Sequence, residues 1–125
     1  DMDDPAAAVG EAARVLRRGG ALCCCITHPL ETAGAFAARD ADAPFIVDHY
    51  FDVRRTGSVH ERGGIAIEFA KTHRPVAAYT GMVEDAGLVI EALRETGLPR
   101  ELWRDETSAR WARIPTFLHL RAAKT

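Results

Sequence analysis

Three places along the chain carry side chains able to do chemistry. The first is His28, which with Pro29 closes a continuous apolar run from Ala21 to Thr27. A run without polar alternation reads as a strand buried on both faces, of the kind found in parallel sheets. Pro29 has no N–H to continue the ladder. A histidine at the carboxyl end of such a strand stands where open α/β sheets bind their ligands. Its ordinary pKa lies near neutrality, which suits a general base drawing a proton from a hydroxyl or amine. The plainer role is a polar strand terminator that hydrogen-bonds a loop. The second place is His73-Arg74, just ahead of Pro75 and a helical pattern that carries Tyr79. The Arg74 fork matches the two oxygens of a carboxylate; otherwise it braces a loop, and Tyr79 belongs to the core. The third is His49-Tyr50. Alternation over 45–53 puts these two on opposite faces of a strand, so only one of them can face a pocket.

The cysteines are three and consecutive, Cys23, Cys24 and Cys25. Neighbouring side chains on an extended chain point apart, which suits neither a disulfide framework nor four converging zinc ligands. They are read as small apolar residues of a buried strand, with no metal site. Reduced thiols suit the cytoplasm. A net charge of −2 gives no electrostatic footprint for nucleic acid or a membrane surface. No apolar run reaches transmembrane length, and the acidic first residues, Asp1 to Asp4, are unlike a signal or transit peptide.

The elements that must position these groups follow from spacing and punctuation. Asp4-Pro5 starts a helix, as cap and first-turn residue. Val9, Ala13 and Leu16 give it a narrow apolar stripe, and Gly19-Gly20 ends it. After the strand at 21–27, Glu31 to Ala38 suggests a short helix. Residues 45–53 and 65–70 alternate as strands, joined through a glycine-containing hairpin or wide loop over 54–64. Pro75 opens a second long helix with Val76, Tyr79, Val83 and Ala86 on one face, and Gly87 closes it. Leu88 to Leu93 reads as a strand. A short helix follows near Glu106 to Ala112, then a last strand, Phe117 to Ala122, with Leu118 and Leu120 on one side and His119 and Arg121 on the other. Trp103 and Trp111 are expected to pack the final strand in the core, with an oligomer contact as the alternative. The order is helix, buried strand, insertion, helix, strand, strand. That is the tail of a doubly wound α/β sheet with an added β-hairpin.

The segment Glu11…Arg14-Val15-Leu16…Gly19-Gly20-Ala21-Leu22 resembles the helix, turn and fifth strand of class I S-adenosylmethionine-dependent methyltransferases. Arg18 stands where that family usually has proline. His28-Pro29 resembles one small-molecule branch. His73-Arg74-Pro75-Val76…Tyr79…Ala86-Gly87-Leu88 is similar to the next helix and sixth strand, and Arg113-Ile114-Pro115-Thr116-Phe117-Leu118 to the last strand. The resemblance runs in order through nearly the whole chain. It implies a Rossmann-like α/β sheet, here its C-terminal part, with an inserted hairpin and the last strand antiparallel between the two before it. Residues 1–125 would be the C-terminal portion of the domain, with an insertion or cap over about 30–70.

The resemblance also implies an activity: transfer of a methyl group from S-adenosylmethionine to a small-molecule substrate. The glycine-rich loop and ribose-binding acid of such enzymes lie on earlier strands. Neither is found here, since Gly19-Gly20 and Gly63-Gly64 lack the strand–GxGxxG–helix context. The chain also begins without Met, already in a loop feeding a helix. The expectation is an enzyme fragment, inactive alone, that retains the edge of the cofactor site and much of the substrate wall. By the same analogy Asp1, Met2 and Asp3 contact the cofactor, while His28 is the candidate base. Tyr50, on an insertion that covers the site, joins His73, Arg74 and Tyr79 as substrate-binding candidates. A second reading is a non-catalytic module that dimerises, or pairs with a separate half, through the exposed edge of strand 21–27. A third, a hydrolase fragment, lacks any GxSxG elbow.

Overall fold

The computed structural model describes residues 2–125. Helix α1 (Pro5–Val15) starts where Asp4 Oδ1 accepts from the Ala7 N–H at 2.9 Å. Strand β1 (Ala21–Thr27) follows, with Gly19 at φ 76° in the turn between them. Helix α3 (Val76–Asp85), closed by Gly87 at φ 72°, leads into β6 (Val89–Thr96). Two 3₁₀ turns, Arg100–Leu102 and Glu106–Arg113, precede β7 (Phe117–Ala123). Asp105 caps the second. The Thr107 hydroxyl, with the Ser108 N–H and hydroxyl, holds its carboxyl below the usual range.

The main sheet has the order β1-β7-β6, with β7 antiparallel to both neighbours. β1 and β6 are therefore parallel to each other, as expected of the last strand of such a sheet. Period-2 alternation buries Leu118, Leu120 and Ala122 of β7. Their face meets Ala13 of α1, Val83 of α3 and Leu88, with Val9, Leu16, Leu22, Ala86 and Ile90 at the margin. Each large side chain buried here contributes roughly 1.5–3 kcal/mol.

The other face carries His119, Arg121, Cys23 and Cys25, and it is open. This corrects the expectation that the strand at 21–27 is buried on both faces: Cys23, Cys24 and Cys25 are all exposed. Helices cover only one face of the sheet, and β1 lies at its edge. A period-less apolar run cannot tell from within the sequence whether both faces find neighbours.

The insertion also differs from its sequence reading. Helix α2 is one turn, Pro29–Thr32, and the residues after it form β2 (Gly34–Phe36), paired with β3 (Phe45–Val47). The strand expected over 45–53 stops at Val47. His49 has φ 53°, and Asp52 N–H donates to the His49 carbonyl at 3.1 Å, so the chain turns there. The expected connector instead forms a strand, β4 (Arg54–Arg62), which pairs with β5 (Ile65–His73). Gly63 and Gly64, at φ 59° and 77°, make the two-residue turn between them. Positive φ at both central residues matches the twist of a hairpin, so the pairing extends into what reads as a loop.

Gly34 has no room for a side chain, because an added Cβ would fall on the Ile46 carbonyl oxygen. Gly34→Ala should therefore open the β2–β3 pair. The expected outcome is a loss of about 1–3 kcal/mol in urea denaturation, with faster amide exchange at Phe45 to Val47.

Candidate active-site groove

The space between α1, α3, the hairpin and the covered face of the sheet is a groove of about 730 Å³. That is within the range of small-molecule sites. Ala8, Val9 and Ala12 of α1 form one wall, with Leu22, Cys24, Ile26 and Thr27 of β1 beside them. Phe69, Ala70, Lys71 and Thr72 of β5, and Tyr79, Met82 and Val83 of α3, form the other. It runs along β1 from Leu22 to Thr27, and Thr27 and Thr32 line it at the carboxyl end, where open α/β sheets bind ligands.

The groove is mostly apolar, and its charges are few. Among the described residues no Asp or Glu lines it. The Cys24 thiol is pushed up by burial and by its neighbours Cys23 and Cys25, so it stays uncharged at neutral pH. Lys71 Nζ is paired with Glu31, at 3.3 and 3.5 Å from its two oxygens. Arg74 is part-buried at the mouth.

The two buried histidines are fasteners. His28 is 4% exposed. Its Nδ1 accepts from the Leu30 N–H at 2.9 Å, capping α2, and Nε2 lies 2.8 Å from Glu95 Oε1 on β6. An Nδ1 that accepts leaves the proton on Nε2, which then donates to the carboxylate. His73 is 2% exposed. Its Nε2 donates to the Tyr50 carbonyl at 2.8 Å, and its Nδ1 is hydrogen-bonded to the Thr32 hydroxyl at 2.7 Å. His73 thus ties the end of β5 to α2 and to the turn at 48–53.

Of the residues singled out from sequence, the fold brings Met2, Arg74 and Tyr79 together on the groove wall. Asp3 lies in a neighbouring cleft, ion-paired with Arg55 at 3.3 Å. Asp1 lies outside the described residues. Tyr50 sits on a turn rather than the expected strand, so its face cannot be read from alternation with His49. Its hydroxyl accepts from the Val76 N–H at 3.4 Å, capping α3. His28 and His73 do not line the groove. Trp111 packs edge-on against Phe36, with centroids 5.0 Å apart, and Arg113 donates to the Asp42 and Ala43 carbonyls, so this segment clasps the insertion. Reading the sequence missed Thr27, Thr32, Lys71 and Met82 as wall residues. Nothing in their local spacing marks them, because four separate elements converge there. Among the described residues no cluster of three or more His, Cys, Asp or Glu could hold a metal ion, and no helix is long and apolar enough to cross a membrane.

No protein-family model matches the sequence, and no curated protein does. Solved structures do. The chain is similar to an S-adenosylmethionine-dependent methyltransferase from Mesorhizobium loti, at 21% identity and a TM-score of 0.68, over 98% of this chain and 56% of that one. It is similar also to a Listeria monocytogenes protein assigned as such an enzyme, at 21% identity and a TM-score of 0.69, over 97% of this chain and 55% of that one. This chain has the fold of part of a methyltransferase domain. It spans about half the length of either protein. The β1-β7-β6 order and the hairpin between β1 and α3 are the features expected of that part.

His73→Ala removes two buried hydrogen bonds and leaves the Tyr50 carbonyl without its donor. A loss of about 1–3 kcal/mol is expected in urea denaturation. Hydrogen exchange should rise at residues 48–53 ahead of the main sheet.

Proposed function

We propose that this chain is the substrate-side portion of an S-adenosylmethionine-dependent methyltransferase acting on a small molecule. The observation that carries the reading is the apolar groove that runs along β1 to its carboxyl end, in a sheet with the β1-β7-β6 order. The likeness in fold to the two methyltransferases supports it.

The described residues do not by themselves make a cofactor cradle. Gly63-Gly64 is a hairpin turn, and Gly19-Gly20 joins a helix to a strand, so neither is a strand-to-helix loop at which a cofactor could approach the backbone. Met2, which faces both the groove and the adjoining cleft, and Asp3 would touch only the cofactor's edge. When bound, S-adenosylmethionine supplies a methyl group on a sulfonium. This chain's own part is to align the acceptor and keep out water. Phe69, Met82 and Ile26 provide an apolar wall, and Tyr79 and Arg74 provide polar groups along it.

Within this reading His28 is either the base that takes the acceptor's proton or the cap that holds the strand end. Its hydrogen bonds favour the cap, since a free Nε2 lone pair would require a proton on Nδ1 and forfeit the bond from Leu30. In-line transfer can proceed on alignment alone. His28→Asn, which preserves a cap acceptor, should keep kcat within about threefold; a base would cost about 10²–10⁴. That assay belongs on a longer protein carrying a glycine-rich half.

Incubated alone with S-adenosylmethionine and candidate acceptors, the 125-residue chain should give no methyl transfer. Turnover by the isolated chain would overturn the proposed division of labour. The free edge of β1 favours a second reading, pairing with another chain through that edge; a monomer by light scattering would count against it.

A further inference from the structure

The cations on and near the groove are not equivalent: Lys71 and Arg74 line it, and Arg55 and Arg54 line neighbouring clefts. Lys71 is answered by Glu31, Arg55 by Asp3 at 3.3 Å, and Arg54 by Asp48 at 4.0 Å. Arg74 alone among these four has no hydrogen-bond or ion-pair partner among the described residues. It is part-buried against an apolar wall, with no carboxylate on that wall to answer it. A guanidinium in such a place keeps donors whose hydration is reduced, and its planar fork matches a bidentate oxyanion such as a carboxylate.

The position is also held in advance. Pro75, at φ −65°, confines the preceding residue to extended backbone. His73, one residue earlier, is fixed on both ring nitrogens. The backbone carrying Arg74 is thus set before any ligand arrives, which lowers the ordering cost of binding.

We propose that the acceptor substrate is an amphipathic acid, its carboxylate held by Arg74 and its apolar body lying along Phe69, Met82 and Ile26. The inference deepens the reading of the groove as the acceptor site and rests on it. One unanswered positive charge selects one negative charge. The apolar wall selects a hydrocarbon or aromatic body over a sugar or a nucleotide.

Titration calorimetry of the chain with octanoate, octan-1-ol and octylamine tests this. Octanoate should bind at least about tenfold more tightly than either of the others. Arg74→Glu should reverse the order in favour of octylamine. Arg62→Gln, at the far tip of the hairpin, should leave the wild-type order intact. Should the Arg74→Glu protein fail to fold by circular dichroism, Arg74→Gln takes its place and should erase the preference. Equal affinity for the three ligands, or an octanoate preference that survives loss of Arg74, overturns the proposal. A parallel titration with S-adenosylhomocysteine separates the two carboxylates that could seek this site. If loss of Arg74 weakens that ligand and leaves octanoate unchanged, the guanidinium serves the cofactor and the proposal falls. None of these measurements needs turnover. Failure of a longer protein to transfer methyl groups would remove the reaction and leave the octanoate result standing.

Discussion

The arrangement depends on β7 being paired along its whole length on both sides. Its seven residues meet β1 residue for residue, from Ala21–Ala123 to Thr27–Phe117. On its other side it meets β6, with one irregularity between Ile90 and Ala92. Because β7 runs against both, β1 and β6 are parallel without touching. The α1 and α3 helices that precede those two strands then pack on the same face. Leu118, Leu120 and Ala122 are the contacts through which that face is sealed. A shift of β7 by one residue would turn His119 and Arg121 into this core and expose the leucines, so the alternation also fixes the register.

What β7 does for the sheet, two histidines do for the groove. The β4–β5 hairpin of the insertion has little hydrophobic core of its own: Val59, Ile65, Ile67 and Phe69 are exposed. It is held to the rest by polar fasteners at its base. His28 binds the start of α2 to Glu95 of β6, and His73 binds the end of β5 to Thr32 and Tyr50. Both ring nitrogens of each are hydrogen-bonded, and buried polar groups so satisfied define one geometry rather than several. The groove is therefore bounded on one side by packed helices and on the other by a hairpin pinned at its root. Such a wall can be shaped at the base and still adapt toward the tip.

Charge then distinguishes the groove from a gap in packing. An apolar hollow lined by Leu, Val and Ala alone would have no call on a specific ligand. Here the Arg74 guanidinium lines the groove with no counter-charge among the described residues, while Lys71, Arg55 and Arg54 are each ion-paired.

The sequence by itself determined the order of elements outside the insertion, the caps at Asp4, Gly19 and Gly87, and the face of β7 that is buried. Those depend on local capping and periodicity, which neighbouring residues carry in full. It also brought Met2, Arg74 and Tyr79 forward, Met2 through a resemblance and the other two through residue chemistry as well. Only the tertiary structure decided that the cysteines are exposed, since an apolar run says nothing about what covers each face. It alone placed the hairpin at 54–73 rather than 45–70, because long antiparallel pairing and a two-glycine turn outweighed the alternation that runs through Tyr50. And it alone committed His28 and His73 to hydrogen bonds with partners 67 and 23 residues away, a choice made by distance in space that no spacing along the chain can express.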